Sequence, residues 1–96
     1  MAAIEDHSNG PIRVLLVEDH ASFRQALAFM LERDPGFEVA EQVGSLAEAR
    51  QLNGEVLEDV DVAIIDLALP DGDGLELIED FSSQPQMTTL VLSASL

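Results

Sequence analysis

The sequence predicts an α/β domain, a doubly wound parallel sheet with helices on both faces. Short apolar, β-branched runs alternate with stretches of helical period, and two of those runs stop abruptly at carboxylates. The chain has 96 residues, room for one small domain. Strand and helix in alternation argue for parallel strands joined by right-handed helical crossovers.

Residues 1–11 are polar, lack apolar periodicity and end in Asn9, Gly10 and Pro11, which reads as a flexible tail outside the domain. The domain is expected over residues 12–96. Ile12, Val14, Leu15, Leu16 and Val17 form a run suited to a strand buried on both faces, and it ends at Glu18 and Asp19. A helix should follow from Ser22: Phe23, Leu27, Met30 and Leu31 share one helical face, Ser22 with Gln25 fits a capping box, and Pro35 with Gly36 stops the run.

Phe37, Val39 and Val43 supply a weaker second strand. Ser45 and Glu48 form a second capping box for a helix carrying Leu46, Ala49 and Leu52, which Asn53 and Gly54 should interrupt or end. Val60, Val62, Ala63, Ile64 and Ile65 repeat the buried-strand pattern and stop at Asp66. A turn rich in Pro70, Gly72 and Gly74 leads to a helix holding Leu75, Leu77, Ile78 and Phe81, for which Asp73 and Glu76 are candidate caps. Ser82 to Pro85 breaks that helix, and Leu90, Val91 and Leu92 make a fourth strand reaching Ser93.

Composition excludes several classes. Four Arg, no Lys and 19 acidic residues give a formal net charge of −15, which repels nucleic-acid phosphates and anionic lipid. With no Cys there is neither a disulfide framework nor a thiolate metal site. No apolar run is long enough to span a bilayer, and Glu5, Asp6 and His7 do not resemble a secretory leader, so a cytoplasmic location is expected.

Open sheets of this kind bind ligands beyond the carboxyl ends of their strands, where the strand order reverses. Glu18, Asp19, Asp66 and Ser93 all fall on that edge. One acid at a strand end is ordinary loop chemistry, but three together repel one another unless a cation or a shared proton relieves them. Mg2+ suits such a pocket, because it is a hard cation that binds through one or two carboxylates and keeps several waters. A carboxylate in a neutralised pocket can attack phosphorus, and Ser93 could donate a hydrogen bond to phosphoryl oxygens. Taken alone, Ser93 reads more commonly as a strand-end turn residue.

The strand Val14 to Val17 followed by Glu18, Asp19 and His20, the stretch Ile64, Ile65, Asp66, Leu67 and Ala68 leading to Pro70, Asp71, Gly72, Asp73 and Gly74, and the run Val91 to Ser95 together resemble the receiver domains of two-component response regulators. Their wording is similar to the NarL/FixJ-type subfamily, whose receivers precede a helix-turn-helix output domain. The resemblance implies a flavodoxin-like sheet of order 2-1-3-4, truncated here after the fourth strand. It implies that Asp66 is the phosphoacceptor, Asp19 a direct Mg2+ ligand, Glu18 a ligand through water, and the backbone carbonyl of Ala68 a further ligand. Ser93 would hydrogen-bond the phosphoryl group and act as the switch residue. The partner implied is a sensor histidine kinase, with transcription controlled by an output domain outside this chain. Phosphoryl acceptance would be self-catalysed, so no enzyme turning over a metabolite is expected.

The family carries a Lys beyond the fourth strand, and this chain has none. The competing expectation is therefore a phosphorylation-incompetent receiver acting as an interaction or dimerisation module, with a homodimer formed through the exposed edge of the fourth strand. His20 follows the acidic pair and could assist metal binding, but the resemblance implies a loop residue near the partner-docking surface; His7 lies in the tail, and neither is given a catalytic role. Asp71 and Asp73 do not make a Ca2+ loop, because Leu75 stands where an oxygen ligand is required. A phosphatase using an aspartate nucleophile would need an acid where Ala68 stands.

Overall fold

Parallel pairing of four apolar strands organises the chain, and the computed structural model describes residues 10–92 of it. In order the elements are β1 (Ile12–Val17), α1 (Ala21–Glu32), β2 (Phe37–Val43), α2 (Leu46–Arg50), α3 (Gly54–Glu58), β3 (Val62–Asp66), β4 (Ala68–Leu69), β5 (Gly72–Asp73), α4 (Leu75–Asp80), a 3-10 turn (Phe81–Ser83) and β6 (Thr88–Leu92). The main sheet runs β2-β1-β3-β6, every pair parallel, and β4 with β5 forms a separate antiparallel hairpin. This is the order expected for a flavodoxin-like fold, with β6 as the fourth strand of the sheet.

Side chains alternate across a strand, so the continuous apolar run of β1 serves two cores. Val14 and Leu16 meet Ala28 on the α1 side. Leu15 and Val17 join Ala63, Ile65, Leu46, Ala49, Leu77 and Phe81 on the other. Leu15, Leu16, Ile65 and Leu77 are fully buried, and each contributes roughly 1.5–3 kcal/mol of burial free energy. These two cores hold β1 and β3 side by side at the centre of the sheet.

Several local expectations are corrected. Helix α1 starts at Ala21 with His20 at its N-cap and no side-chain cap, so the capping box of Ser22 with Gln25 does not form; Ser22 is already inside the helix. Phe23 and Met30 are 49% and 66% exposed, and the face on the sheet is Leu27, Ala28 and Leu31. The helix holds more apolar residues than one packing stripe can use, which leaves Phe23, Phe29 and Met30 outside it. The second helical stretch is divided as expected: Ser45 Oγ accepts the Glu48 N–H at the start of α2, and Asn53 Oδ1 accepts the Val56 N–H to begin α3. Val60 is buried but precedes β3, which starts at Val62.

The N-cap of α4 is Gly74, not Asp73, so no side chain caps the helix; Asp73, one residue earlier, accepts the Leu75 N–H at 2.9 Å, and Glu76 turns to Arg50 instead of closing a capping box. Strand β6 lies at the sheet's edge with Leu90 and Val91 exposed. Of the tail expected over residues 1–11, residues 1–9 lie outside the described residues, as does Ser93, the expected switch residue. Among the described residues no helix is long and apolar enough to cross a membrane.

Candidate metal centre

Strands β1 and β3 pair in parallel from Val14 with Val62 to Val17 with Ile65, so the next residue of each, Glu18 just past β1 and Asp66 as the last residue of β3, stands at the same level of the carboxyl edge. The order reverses here, with β2 on one side of β1 and β3 on the other, which makes this edge the switch point of the sheet. Glu18 stays pinned to the neighbouring strand through its N–H to the Val43 carbonyl, and its own carbonyl accepts Arg24 Nη1 at 2.6 Å.

Glu18 is 4% exposed and Asp66 1%, so both carboxylates are withdrawn from water. Glu18 Oε2 accepts the backbone N–H of His20 at 2.9 Å and lies 2.9 Å from His20 Nδ1. Asp66 Oδ1 accepts the Ala68 N–H at 3.0 Å. Asp66 Oδ2 and Asp19 Oδ1 are buried without a hydrogen-bond partner. One ligand atom each from Glu18, Asp19, His20 and Asp66 can be chosen so that all lie within 4.8 Å of one another. An unpartnered buried oxygen costs about 1–3 kcal/mol, and gathered carboxylates add mutual repulsion. A divalent cation with oxygen ligands would answer both, so the residues present fit Mg2+.

The loop after Asp66 is held by contacts that bear on the site. The Gly74 N–H donates to the Leu67 carbonyl, and a Cβ on Gly74 would collide with the Asp66 carbonyl oxygen and stand 2.9 Å from Ile65 Cγ2. Glycine is required there for close approach, since its φ of −58° is open to any residue. Asp71 spans the hairpin turn and accepts the N–H groups of Leu46 at 2.8 Å and Ala47 at 2.9 Å, fastening the loop to the start of α2. Those two bonds hold its carboxyl below the usual Asp range. Arg50 of α2 reaches Asp80 at 2.7 Å and Glu76 at 3.1 Å on α4, completing the same fastening at the surface.

The structure therefore brings together Glu18, Asp19 and Asp66, with Ala68 adjoining, as the sequence suggests; Ser93 lies outside the described residues. It adds His20, which the sequence reading sets aside as a loop residue. The hydrogen bond to Glu18, followed by the charge of Asp19, raises the His20 pKa above the ordinary imidazole value. The one available signal was its position directly after two acids.

Comparison with known proteins agrees with this arrangement. The response regulator receiver domain family matches residues 14–96. The transcriptional activator DevR/DosR of Mycobacterium tuberculosis is 38% identical over 84 residues, covering 86% of this chain and 38% of that protein. The virulence regulator PhoP of Salmonella typhimurium is 42% identical over 85 residues, covering 86% of this chain and 36% of that protein. A protein-glutamate methylesterase/protein-glutamine glutaminase of Cereibacter sphaeroides is 39% identical over 85 residues, covering 88% of this chain and 23% of that protein. The chain thus spans well under half the length of these curated relatives. Among solved structures, the non-phosphorylated HemR receiver domain of Leptospira biflexa superposes with a TM-score of 0.75 at 34% identity, covering 88% of this chain and 65% of that one. A LuxR-family two-component response regulator from Aurantimonas gives a TM-score of 0.77 at 26% identity, covering 90% and 61%. With the matched family, the sheet order and the carboxylates at its switch point in agreement, the chain belongs to the response regulator receiver domain family.

Proposed function

We propose that this receiver accepts a phosphoryl group on Asp66 from the phosphohistidine of a sensor histidine kinase, in the presence of Mg2+. The observation that carries the reading is the buried, unpartnered Oδ2 of Asp66, a residue whose carboxylate gathers with those of Glu18 and Asp19. Asp19 and Asp66 would bind the cation directly, Glu18 through water, and the Ala68 carbonyl would add a ligand. When bound, Mg2+ supplies positive charge that offsets the carboxylates and holds phosphoryl oxygens.

Asp66 then forms a new O–P bond as the P–N bond to the donor imidazole breaks, and the released imidazole takes up a proton. The Ala68 N–H holds Oδ1 and fixes the carboxylate plane, leaving Oδ2 as the nucleophile. Burial keeps water from that oxygen until the donor arrives. Ser93 would hydrogen-bond the phosphoryl group and report it to the surface. Similarity to the regulators DevR/DosR and PhoP supports transcription as the output, carried by a separate domain. The reaction is a single transfer to the protein itself rather than turnover. Association of two copies through the β6 edge is a separable part of the proposal, and light scattering of a monomer at high concentration would remove it.

Intact mass after incubation with Mg2+ and a small phosphodonor tests the central claim. One phosphoryl adduct is expected on the wild-type chain and none on Asp66→Ala. An adduct that survives the substitution overturns the assignment. Mg2+ binding with no adduct selects the interaction module instead.

A further inference from the structure

The acidic site proposed as a Mg2+ centre contains one group which that reading leaves unused, the imidazole of His20. We propose that His20 is a nitrogen ligand of the centre, which therefore also takes nitrogen-preferring divalent cations such as Ni2+ and Zn2+ through carboxylate oxygens and one imidazole. The inference rests on Glu18, Asp19 and Asp66 forming a cation site.

One distance supports it. His20 Nδ1 lies 3.4 Å from Asp19 Oδ1, an oxygen of the acid that would bind the cation directly, while its 2.9 Å contact to Glu18 Oε2 ties the ring to the acid that would act through water. Ligands bonded at roughly 2.0–2.2 Å to one cation stand about 2.8–3.1 Å apart at right angles and about 3.3–3.6 Å apart at tetrahedral angles. A hydrogen bond from the ring to Glu18 accounts for the 2.9 Å contact and leaves Asp19 Oδ1 and Asp66 Oδ2 buried and unpartnered.

The backbone is arranged for this use. His20 occupies the N-cap of α1 in an extended conformation, with its N–H on Glu18 Oε2 and its carbonyl accepting the Arg24 N–H, so the main chain is fixed on both sides. Its side chain is 70% exposed, which leaves the outer face of the centre open to water and to a substrate oxygen. With Nδ1 turned to the cation, Nε2 carries the ring proton toward solvent. Imidazole suits Ni2+ and Zn2+, whereas Mg2+ and Mn2+ favour carboxylate, carbonyl and water oxygens. Adding this ligand should shift preference toward Ni2+ and Zn2+ while the acids still serve Mg2+.

The test uses the full 96-residue chain, loaded with Mn2+ and read by electron spin echo modulation, together with calorimetric titrations of Ni2+ and Mg2+. Bound Mn2+ should show imidazole nitrogen coupling that disappears in His20→Ala and in His20→Gln and persists in His7→Ala. Ni2+ affinity should fall about 10-fold or more in both His20 variants, by analogy with the loss of metal-site partners, while Mg2+ affinity stays within about 2-fold. Mn2+ bound without nitrogen coupling, or equal losses for Ni2+ and Mg2+, overturns the role of His20 and leaves the acidic site standing. Absence of any cation binding overturns both.

Discussion

Asp66 gives one carboxylate oxygen to the Ala68 N–H at 3.0 Å and keeps the other buried with no partner. Half of the side chain is thus held for position and half is left for chemistry. Asp66→Asn separates these uses, because its amide oxygen can keep the Ala68 bond while its NH2 donates toward Glu18 or Asp19. In the absence of metal this variant should be more stable than wild type by about 1 kcal/mol, or ~4–8 °C in Tm for a domain of this size. Thermal melting followed by circular dichroism in chelator checks it, and a lower Tm would contradict the repulsion assigned to the cluster.

Added Mg2+ should have the opposite specificity. A ligand bound only by the folded state at 100 times its Kd stabilises by about 2.7 kcal/mol. Wild-type Tm should rise with Mg2+ concentration, while Asp66→Asn and Asp19→Asn should respond weakly or not at all. Equal rises in all three proteins would place the cation elsewhere on this acidic surface.

Gly74→Ala should be far more damaging than its size suggests. The new Cβ meets the Asp66 carbonyl oxygen, which is backbone and cannot rotate away. A loss of about 3 kcal/mol or more is expected, beyond the usual range for a surface loop. Urea denaturation gives the number, and a neutral result would show that the loop relaxes freely.

The clasp of Asp71 on Leu46 and Ala47 predicts a pH dependence. Its carboxyl is held below the usual Asp range, so it favours the folded state above the unfolded-chain value and loses that contribution as pH falls through the folded one. Asp71→Asn should therefore melt below wild type near neutral pH. The gap should close as acid protonates the wild-type group. A gap that widens in acid would reverse the sign assigned here.

Much of this plan was legible in the residues. Leu15, Leu16, Ile64 and Ile65 sit in runs that only a strand covered on both faces can use, and Glu18 and Asp66 mark the ends of those strands. The family's motifs then brought the acids together. What escaped was tertiary. Asp71 reaches α2 across 25 residues, and Arg50 reaches Asp80 across 30, separations that no local pattern records. The facing stripe of α1 was misjudged because Phe23, Phe29 and Met30 are as apolar as the residues that pack, and only the sheet decides which are used. The bond of His20 to Glu18 leaves no local trace either, because a place after two acids is equally compatible with a ring free in solvent or joined to one of them.

The pairing of Val14 through Val17 with Val62 through Ile65 works as a ruler. Side chains change face at every step along a strand, so one residue inserted between Val62 and Asp66 would swing the acid to the opposite side of the sheet. All the acids would still be spelled out, yet they would no longer meet. The chemistry is stored in the length of two strands as much as in the identity of their last residues, and relatives that gain or lose a residue inside either strand should keep the fold while losing the centre.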